Sequence, residues 1–145
     1  MAEKKNARYF LTADKENLQY PPFRVPEDPK YVKRLAQLDK DSVPGTEFYS
    51  EAKWIVPGDA SPEGMKMSES HAHEFGEFIG FFGYNYENIK DLGAEIEFTV
   101  DNEKYTITES FAAFIPRGVQ HGPLIIRNVR LPIFCFTGGD TDTYK

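Results

Sequence analysis

Residues 68–83 read SESHAHEFGEFIGFFG and contain two of the three histidines of the chain. His71 and His73 stand one residue apart, and Glu77 follows four residues after His73. In an extended strand, the side chains at positions i and i+2 point to the same face. Glu77 shares this odd phase, so we expect the two imidazoles and the carboxylate to converge on one interior point.

The third histidine ends a second short motif, residues 115–121 with the sequence IPRGVQH. Pro116 and Gly118 predict a turn that brings His121 onto the following strand. Three imidazoles and one carboxylate suit a divalent transition metal such as Fe, Mn, Ni or Zn. A single interior histidine is more often a hydrogen-bonded core residue. Here every histidine of the chain falls in one of two spaced motifs, which favours a site for one metal ion.

Strand signals dominate the chain from Thr46 onward. Residues 94–100, AEIEFTV, alternate strictly between apolar and polar side chains, as is typical of a strand with one buried face. Many short β-prone runs separated by turn residues indicate an all-β sandwich or jelly-roll β-barrel. The other predicted strands cover residues 47–56, 74–82, 105–108, 111–115, 124–127 and 132–137.

The beginning of the chain has a different composition. Five prolines between residues 21 and 44 break up this segment, so it is unsuited to a central strand. We therefore expect a proline-rich N-terminal arm over residues 1–46 and a single β-barrel domain over residues 47–145.

One short helix is predicted within the arm. Asp28 and Pro29 are typical of a helix N-cap followed by proline at the first helical position. Tyr31, Leu35 and Leu38 then recur at positions i, i+4 and i+7. This spacing predicts one apolar stripe that packs on the barrel.

The two histidine motifs resemble those of the cupin family. HAHEFGE at residues 71–77 fits the HxHxxxE part of the first cupin motif, and PRGVQH at residues 116–121 fits the PxGxxH part of the second. The resemblance is to a small single-domain cupin and runs from about residue 58 to residue 136. It implies a jelly-roll β-barrel with four metal ligands. By similarity these ligands are His71, His73, Glu77 and His121.

The cupin resemblance implies several activities without selecting one. Cupins include dioxygenases, isomerases and decarboxylases, so a metal-dependent enzyme acting on a small organic molecule, such as a carboxylate, is one hypothesis. The alternative is a non-catalytic module that binds a small ligand or a metal, as a sensor or storage protein does. The sequence assigns no residue a catalytic role.

Strand phase predicts the lining of the pocket. Phe75, Ile79 and Phe81 share the phase of His71 and His73, while Ile125 and Arg127 share the phase of His121. The three residues of the first group would form an apolar wall, or simply barrel core. An inward Arg127 could bind a carboxylate or phosphate of the substrate, and a solvated arginine is the open alternative.

Charge and composition exclude some classes of partner. The 145 residues include 17 Lys and Arg against 23 Asp and Glu, a net charge of −6, and no basic patch that would favour nucleic acid. No apolar run approaches the roughly 18 residues of a membrane span. The N-terminal residues lack the apolar core of a secretory signal, and the single cysteine, Cys135, falls in an apolar run. These features together favour a cytoplasmic protein.

A homodimer is also expected. An open jelly-roll sheet has edges that must be covered or paired. The apolar side chains of the arm need a surface, which a β-edge of a second copy would supply, although they could also fold back on their own barrel. These side chains are Tyr9, Phe10, Leu11, Tyr20 and Phe23.

Overall fold

A computed structural model describes residues 4–144, and in this part of the chain the protein is all-β, with nine strands and one turn of 3-10 helix at Ala7–Tyr9. The strands are β1 (Val32–Leu38), β2 (Tyr49–Ile55), β3 (Met65–Ser68), β4 (Glu77–Gly83), β5 (Asp91–Val100), β6 (Glu103–Glu109), β7 (Phe111–Ile115), β8 (His121–Arg127) and β9 (Ile133–Gly139).

The strands form two antiparallel sheets. One has five strands in the order β1-β2-β9-β4-β7, and the other has four in the order β3-β8-β5-β6. This confirms the predicted all-β class. The sheets are two separate layers, so a closed barrel is not what the structure shows.

The hydrophobic core lies between the two sheets. In β5 the residues Ala94, Ile96 and Phe98 are buried in alternation with the partly exposed Glu95, Glu97 and Thr99, as the sequence pattern predicts. The opposite sheet contributes further buried side chains from β2, β4 and β9, among them Ile55, Ile79, Phe81, Ile133 and Cys135.

The predicted helix over residues 28–38 is wrong. Asp28 does cap a turn: its carbonyl oxygen accepts from the N–H groups of Tyr31 and Val32, and its Oδ1 accepts from the N–H of Lys30 at 2.9 Å. The turn ends there, and the chain continues as strand β1. The hydrogen bonds typical of a helix N-cap are therefore present at Asp28, but the residues that follow form a strand.

Pairing with β2 explains why residues 32–38 are extended. The register aligns Val32 with Ile55 and continues, with one bulge, to Leu38 opposite Ser50. Val32 and Gln37 face the interior, whereas Leu35 is 45% exposed, so the i, i+4, i+7 spacing does not mark a buried stripe. β1 joins part of the proposed arm to the sheet. The division of the chain at residues 46 and 47 stays a prediction.

The segment before β1 is attached to the end of β3. The N–H of Glu69 donates to the carbonyl of Phe23 at 2.7 Å, and the N–H of Val25 donates to the carbonyl of Met67 at 3.1 Å. These bonds place residues 23–25 directly beside the first histidine motif. Among the described residues, no helix is long and apolar enough to cross a membrane.

Candidate metal centre

Four side chains meet between the ends of β3, β4 and β8. His71, His73, Glu77 and His121 each offer one ligand atom, and these atoms all lie within 4.8 Å of one another. The Nε2 atoms of His71 and His73 are 3.1 Å apart. The carboxylate oxygens of Glu77 lie 3.5 Å from His73 Nε2 and 3.2 Å from His121 Nε2. The structure thus brings together the four ligand residues expected from the two motifs.

Backbone pairing joins the two motifs. The N–H of His71 donates to the carbonyl of His121, and the N–H of His121 donates to the carbonyl of His71, both at 2.8 Å. Gly122 follows at φ +94°, and a Cβ at this position would lie 2.5 Å from the carbonyl oxygen of Glu69. Only glycine allows the two segments to approach so closely in this conformation.

Main-chain carbonyls orient two of the imidazoles. Nδ1 of His71 lies 2.7 Å from the carbonyl oxygen of Glu69, and Nδ1 of His121 lies 2.9 Å from that of Val119. A carbonyl oxygen can only accept a hydrogen bond, so each Nδ1 must carry the proton. Each Nε2 therefore turns a lone pair toward the cluster, which is the tautomer that a metal-binding histidine uses.

Two of the four candidate donors have a pKa shifted toward the protonation state that a divalent cation requires. Burial lowers the pKa of His71 to about 4, so its imidazole is neutral at pH 7. Burial opposes ionisation of Glu77, but the imidazoles of His121 and His73 outweigh it and hold its pKa at about 2. His71 thus offers a neutral nitrogen and Glu77 a carboxylate, as metal binding requires.

One buried nitrogen of the cluster lacks a hydrogen-bond partner within the described part of the chain. His121 Nε2 is buried and has no hydrogen-bond partner among the described residues. With the proton on Nδ1, Nε2 and the Glu77 carboxylate 3.2 Å away are both acceptors and cannot bond to each other. An unsatisfied buried acceptor costs about 1–3 kcal/mol. A metal bound to this lone pair would remove that cost, so the residues present fit a divalent transition metal.

A cavity of about 60 Å³ lies beside the cluster. His71, Glu77 and His121 form part of its wall. The polar remainder of the wall consists of Arg24, Lys53, Ser68, Thr137 and Tyr144. The apolar remainder consists of Met67, Ile79, Phe81, Phe98, Leu124 and Cys135.

The lining predicted from strand phase needs correction. Ile79 and Phe81 line the cavity as expected. Phe75 is buried but stacks on His73 with ring centroids 4.4 Å apart, outside the cavity. Ile125 and Arg127 do not reach it.

The reason is a shift in register along β8. The pairing of β5 with β8 is irregular between Phe98 and Val100, so Leu124, three residues after His121, takes the inward position. Arg127 instead binds Glu97, with Nη1 3.2 Å from Oε1. Counting every second residue from His121 therefore assigned Ile125 and Arg127 to the wrong face of β8.

Three candidate functional residues were not predicted from the sequence. Lys53 carried a usable signal, because it stands between buried positions of the alternating strand β2. Arg24 and Tyr144 carried none, since they belong to irregular segments. Phe23, next to Arg24, stacks on His71 with ring centroids 3.7 Å apart and an interplanar angle of 11°.

Comparison with known proteins supports the fold and not an activity. No family model and no curated protein matches the sequence. Solved structures do match. Recombinant oxalate oxidase in complex with glycolate is 14% identical, with 97% of this chain and 63% of that chain covered and a TM-score of 0.53. A second oxalate oxidase structure, in complex with the substrate analogue glycolate, is 15% identical over 99% and 64%, with a TM-score of 0.52.

The protein spans less than two thirds of the length of these oxalate oxidase chains. A cupin protein from Bacteroides fragilis has a more similar length, with 87% of this chain and 93% of that chain covered, at 15% identity and a TM-score of 0.48. At such identities the likeness concerns the fold. The two antiparallel sheets, with both histidine motifs meeting between them, show that the protein has the cupin fold.

Proposed function

We propose that the protein is a metal-dependent enzyme that acts on a small organic molecule through one divalent transition metal. The ligands would be His71, His73, Glu77 and His121, and the reaction would be of the dioxygenase, isomerase or decarboxylase type. The observation that carries this proposal is the convergence of four donor atoms within 4.8 Å, three of them from residues that line a cavity.

The residues around the cluster suit such a role. A bound metal would supply a Lewis acid or an oxygen-activating centre, with one or two positions open beyond its four protein ligands. The carbonyls of Glu69 and Val119 hold two imidazoles in place. The apolar part of the wall, with Ile79 and Phe98, excludes water and so strengthens electrostatic contacts with a ligand.

The size of the cavity supports a small substrate. Its volume of about 60 Å³ is far below the roughly 300–1,000 Å³ typical of pockets for drug-sized ligands. The two oxalate oxidase structures contain glycolate, a two-carbon hydroxycarboxylate. A small carboxylate is therefore the substrate class that we propose.

Metal analysis followed by reconstitution tests the function. Purified protein should contain about one transition-metal ion per chain by elemental analysis. Protein stripped with a chelator should regain it from Fe²⁺, Mn²⁺, Ni²⁺ or Zn²⁺. Each reconstituted form is then incubated with a panel of small carboxylates, and conversion is followed by NMR and by oxygen consumption. Protein that takes up none of the four ions would rule out the proposal.

A non-catalytic binding module is the second candidate, and one observation favours it. Phe23 stacks on His71, and the ring centroid of Tyr144 lies 5.5 Å from that of His73, so both aromatic rings cover the cluster. Such a cover suits a protein that holds its ligand. Tight ligand binding to the metal-loaded protein without any conversion across the panel would decide for this candidate.

We propose further that the protein acts as a cytoplasmic homodimer. The buried free thiol of Cys135 suits a reducing compartment. The outer face of the five-stranded sheet exposes aromatic side chains that a second copy could cover. Phe48 is 61% exposed, Phe114 66% and Phe136 37%.

A further inference from the structure

We propose that Arg24 and Lys53, with Tyr144 beside them, form an anion-binding subsite next to the metal centre. The charged end of a small carboxylate would lie on the two cations, while its other end faces the histidine cluster. This inference rests on the proposed function for the role of the metal and names the residues that select a carboxylate. It also replaces Arg127, the cation expected from strand phase.

The position of these side chains is the first support. All three line the cavity that His71 and Glu77 also line. Lys53 projects from β2 and is buried. The side chain of Arg24 is 9% exposed, and its guanidinium carbon lies 5.6 Å from the ring centroid of Tyr144. Two cations and a tyrosine thus share a cavity wall with three of the proposed metal ligands.

The arrangement of charges in the buried cluster is the second support. Arg24, Arg34 and Lys53 carry its positive charges, on side chains at most 13% exposed. Asp14 pairs with Arg34, and the carboxylates that pair with Arg24 and Lys53 are Glu27 and Glu51, neither of which lines the cavity. Arg24 and Lys53 are therefore the part of this cluster that meets the cavity, and buried cations of this kind favour an anion beside them.

The hydrogen-bonding state of Arg24 is the third support. Its ion pairs with Glu27 and Glu51, at 3.2 and 3.5 Å, both use Nη2. Within residues 4–144 no ion pair uses its Nη1 or Nε. By contrast, Arg34 binds Glu51 at 2.6 Å and Asp14 at 2.6 Å. Tyr144 is a further hydrogen-bond partner of this guanidinium. A guanidinium has five N–H donors in a fork that matches a carboxylate, so Arg24 can bind such a group in addition to these partners.

The neighbours of Lys53 fix its position. Its ammonium group lies 3.0 Å from Glu51 Oε1 and also contacts Glu27. These contacts hold the ammonium group at the cavity wall, where it adds charge without needing to move. A site held in this way loses little conformational entropy when a ligand binds.

The size of the cavity limits the ligand. A volume of about 60 Å³ is small for a ligand pocket. An acid with two or three carbons is consistent with that space, whereas an aromatic acid is not. Glycolate and its neutral amide, glycolamide, have nearly the same shape and are therefore a matched pair of probes.

Two charge-matched variants test the subsite. Arg24→Gln and Arg34→Gln each remove one positive charge from the same buried cluster, but only Arg24 lines the cavity. Affinities for glycolate and glycolamide are measured by isothermal titration calorimetry on metal-reconstituted protein, with metal content measured in parallel. Arg24→Gln should weaken glycolate binding about 10- to 100-fold, because a charged hydrogen-bonding partner is lost. Arg34→Gln should change it by less than about threefold.

Three results would overturn the subsite: equal glycolate affinity in wild type and Arg24→Gln, equal losses in both variants, and equal affinity of wild type for glycolate and glycolamide. The last comparison needs no variant, so it decides the question even if a substitution prevents folding. Failure of the metal proposal is seen separately. If metal-free wild type still prefers glycolate over glycolamide, the anion-binding subsite is supported even where the proposed role of the metal fails.

Discussion

At the scale of single residues, the candidate centre depends on the backbone groups that orient two of its imidazoles. The backbone carbonyls of Glu69 and Val119 accept from Nδ1 of His71 and His121 and fix both tautomers. Backbone atoms cannot be removed by a side-chain mutation, so this orientation is built into the fold. The ligand atoms themselves are the part of the site that substitutions can test.

Loss of a ligand should lower metal affinity without unfolding the protein. Glu77→Gln keeps the size of the side chain and removes its charge, and His121→Ala removes the orphaned Nε2. For each variant we expect metal affinity to fall by at least about 10- to 100-fold, the loss typical even of outer-shell changes. Gln120→Ala is the control, because Gln120 neighbours a ligand but bonds to Ser70. Equal metal content in all four proteins would contradict the assignment.

The buried ionic cluster should make stability depend on acid pH. Burial opposes ionisation of Glu51, but Lys53, Arg24 and Arg34 outweigh it and hold its pKa well below the usual 4.5. A lowered folded-state pKa contributes stability that is present above the unfolded pKa and is lost as the pH falls through the folded one. The free energy of unfolding should therefore fall as the pH drops below about 4.5.

Urea denaturation from pH 7 down to pH 3 measures this dependence. Glu51→Gln should be less stable than wild type at pH 7, since it leaves buried cations unpaired, and its stability should change less with pH. Glu103→Gln, on the exposed strand β6, should follow the wild-type curve. A free energy of unfolding that stays constant over the whole range would refute this role of the cluster.

At the scale of elements, the strands with one buried face could be predicted from sequence. Apolar alternation marks β5, and β7 begins and ends as expected at Phe111–Ile115. The strand β3 was missed because its four residues, MKMS, show no alternation and are held by β8, about sixty residues away. β1 was mistaken for a helix for the same reason: its state is decided by pairing with β2 and not by its own spacing.

The residues of the candidate site also fall into two groups, those that the sequence could predict and those that it could not. Motif spacing predicted the four donor residues because it reflects the local chain path. Arg24 and Tyr144 could not be predicted, since their segments have no periodicity that aims a side chain. Arg127 was misplaced because phase counting assumes regular pairing, and β8 is irregular next to Gly122. The sequence thus predicted which four residues would lie together and missed the charged wall beside them.

The junction between the two motifs should be intolerant of a side chain at Gly122. Gly122→Ala would place Cβ 2.5 Å from the carbonyl oxygen of Glu69 and would also strain a residue at φ +94°. We expect it to cost more than the roughly 1–3 kcal/mol of backbone strain alone and to weaken metal binding. Gly118→Ala is the matched control, with φ +81° but no atom within 4 Å of the added Cβ.

Urea denaturation and metal titration of both glycine variants separate the two effects. Gly118→Ala should show the cost of backbone strain only, with metal affinity close to that of wild type. If both variants lose the same stability and the same metal affinity, the close approach of residues 69 and 122 does not organise the centre.

At the scale of the whole molecule, the two faces of the five-stranded sheet differ: one carries charged side chains of the candidate site and the other carries exposed aromatic side chains. The inner face of the five-stranded sheet supplies Lys53 and Glu77 to the site, and its outer face is aromatic. A groove on that outer face is lined by Phe48, Phe78, Phe114 and Phe136. The strand β7, which carries Phe114, is also an edge of the sheet. The expected β-edge contact and the aromatic face therefore coincide.

A second copy of the chain is the occupant that best fits this face. Phe48, Phe114 and Phe136 are 61%, 66% and 37% exposed, and at about 200 Å² per aromatic side chain they expose roughly 330 Å². In the proposed dimer this surface would form the apolar centre of an interface of about 800 Å² per partner. Light scattering at micromolar concentration should give twice 16.6 kDa, or about 33 kDa.

A charge placed in the centre of the face should abolish the dimer. Phe114→Glu would bring two carboxylates into a buried symmetric contact, so we expect a mass of 16.6 kDa and unchanged metal content. Tyr86→Glu is the control, since Tyr86 is 78% exposed on a loop away from this groove and should leave the dimer intact. A monomeric wild type would exclude the dimer. A dimeric Phe114→Glu would instead move the contact to another surface, such as the opposite edge strand β1.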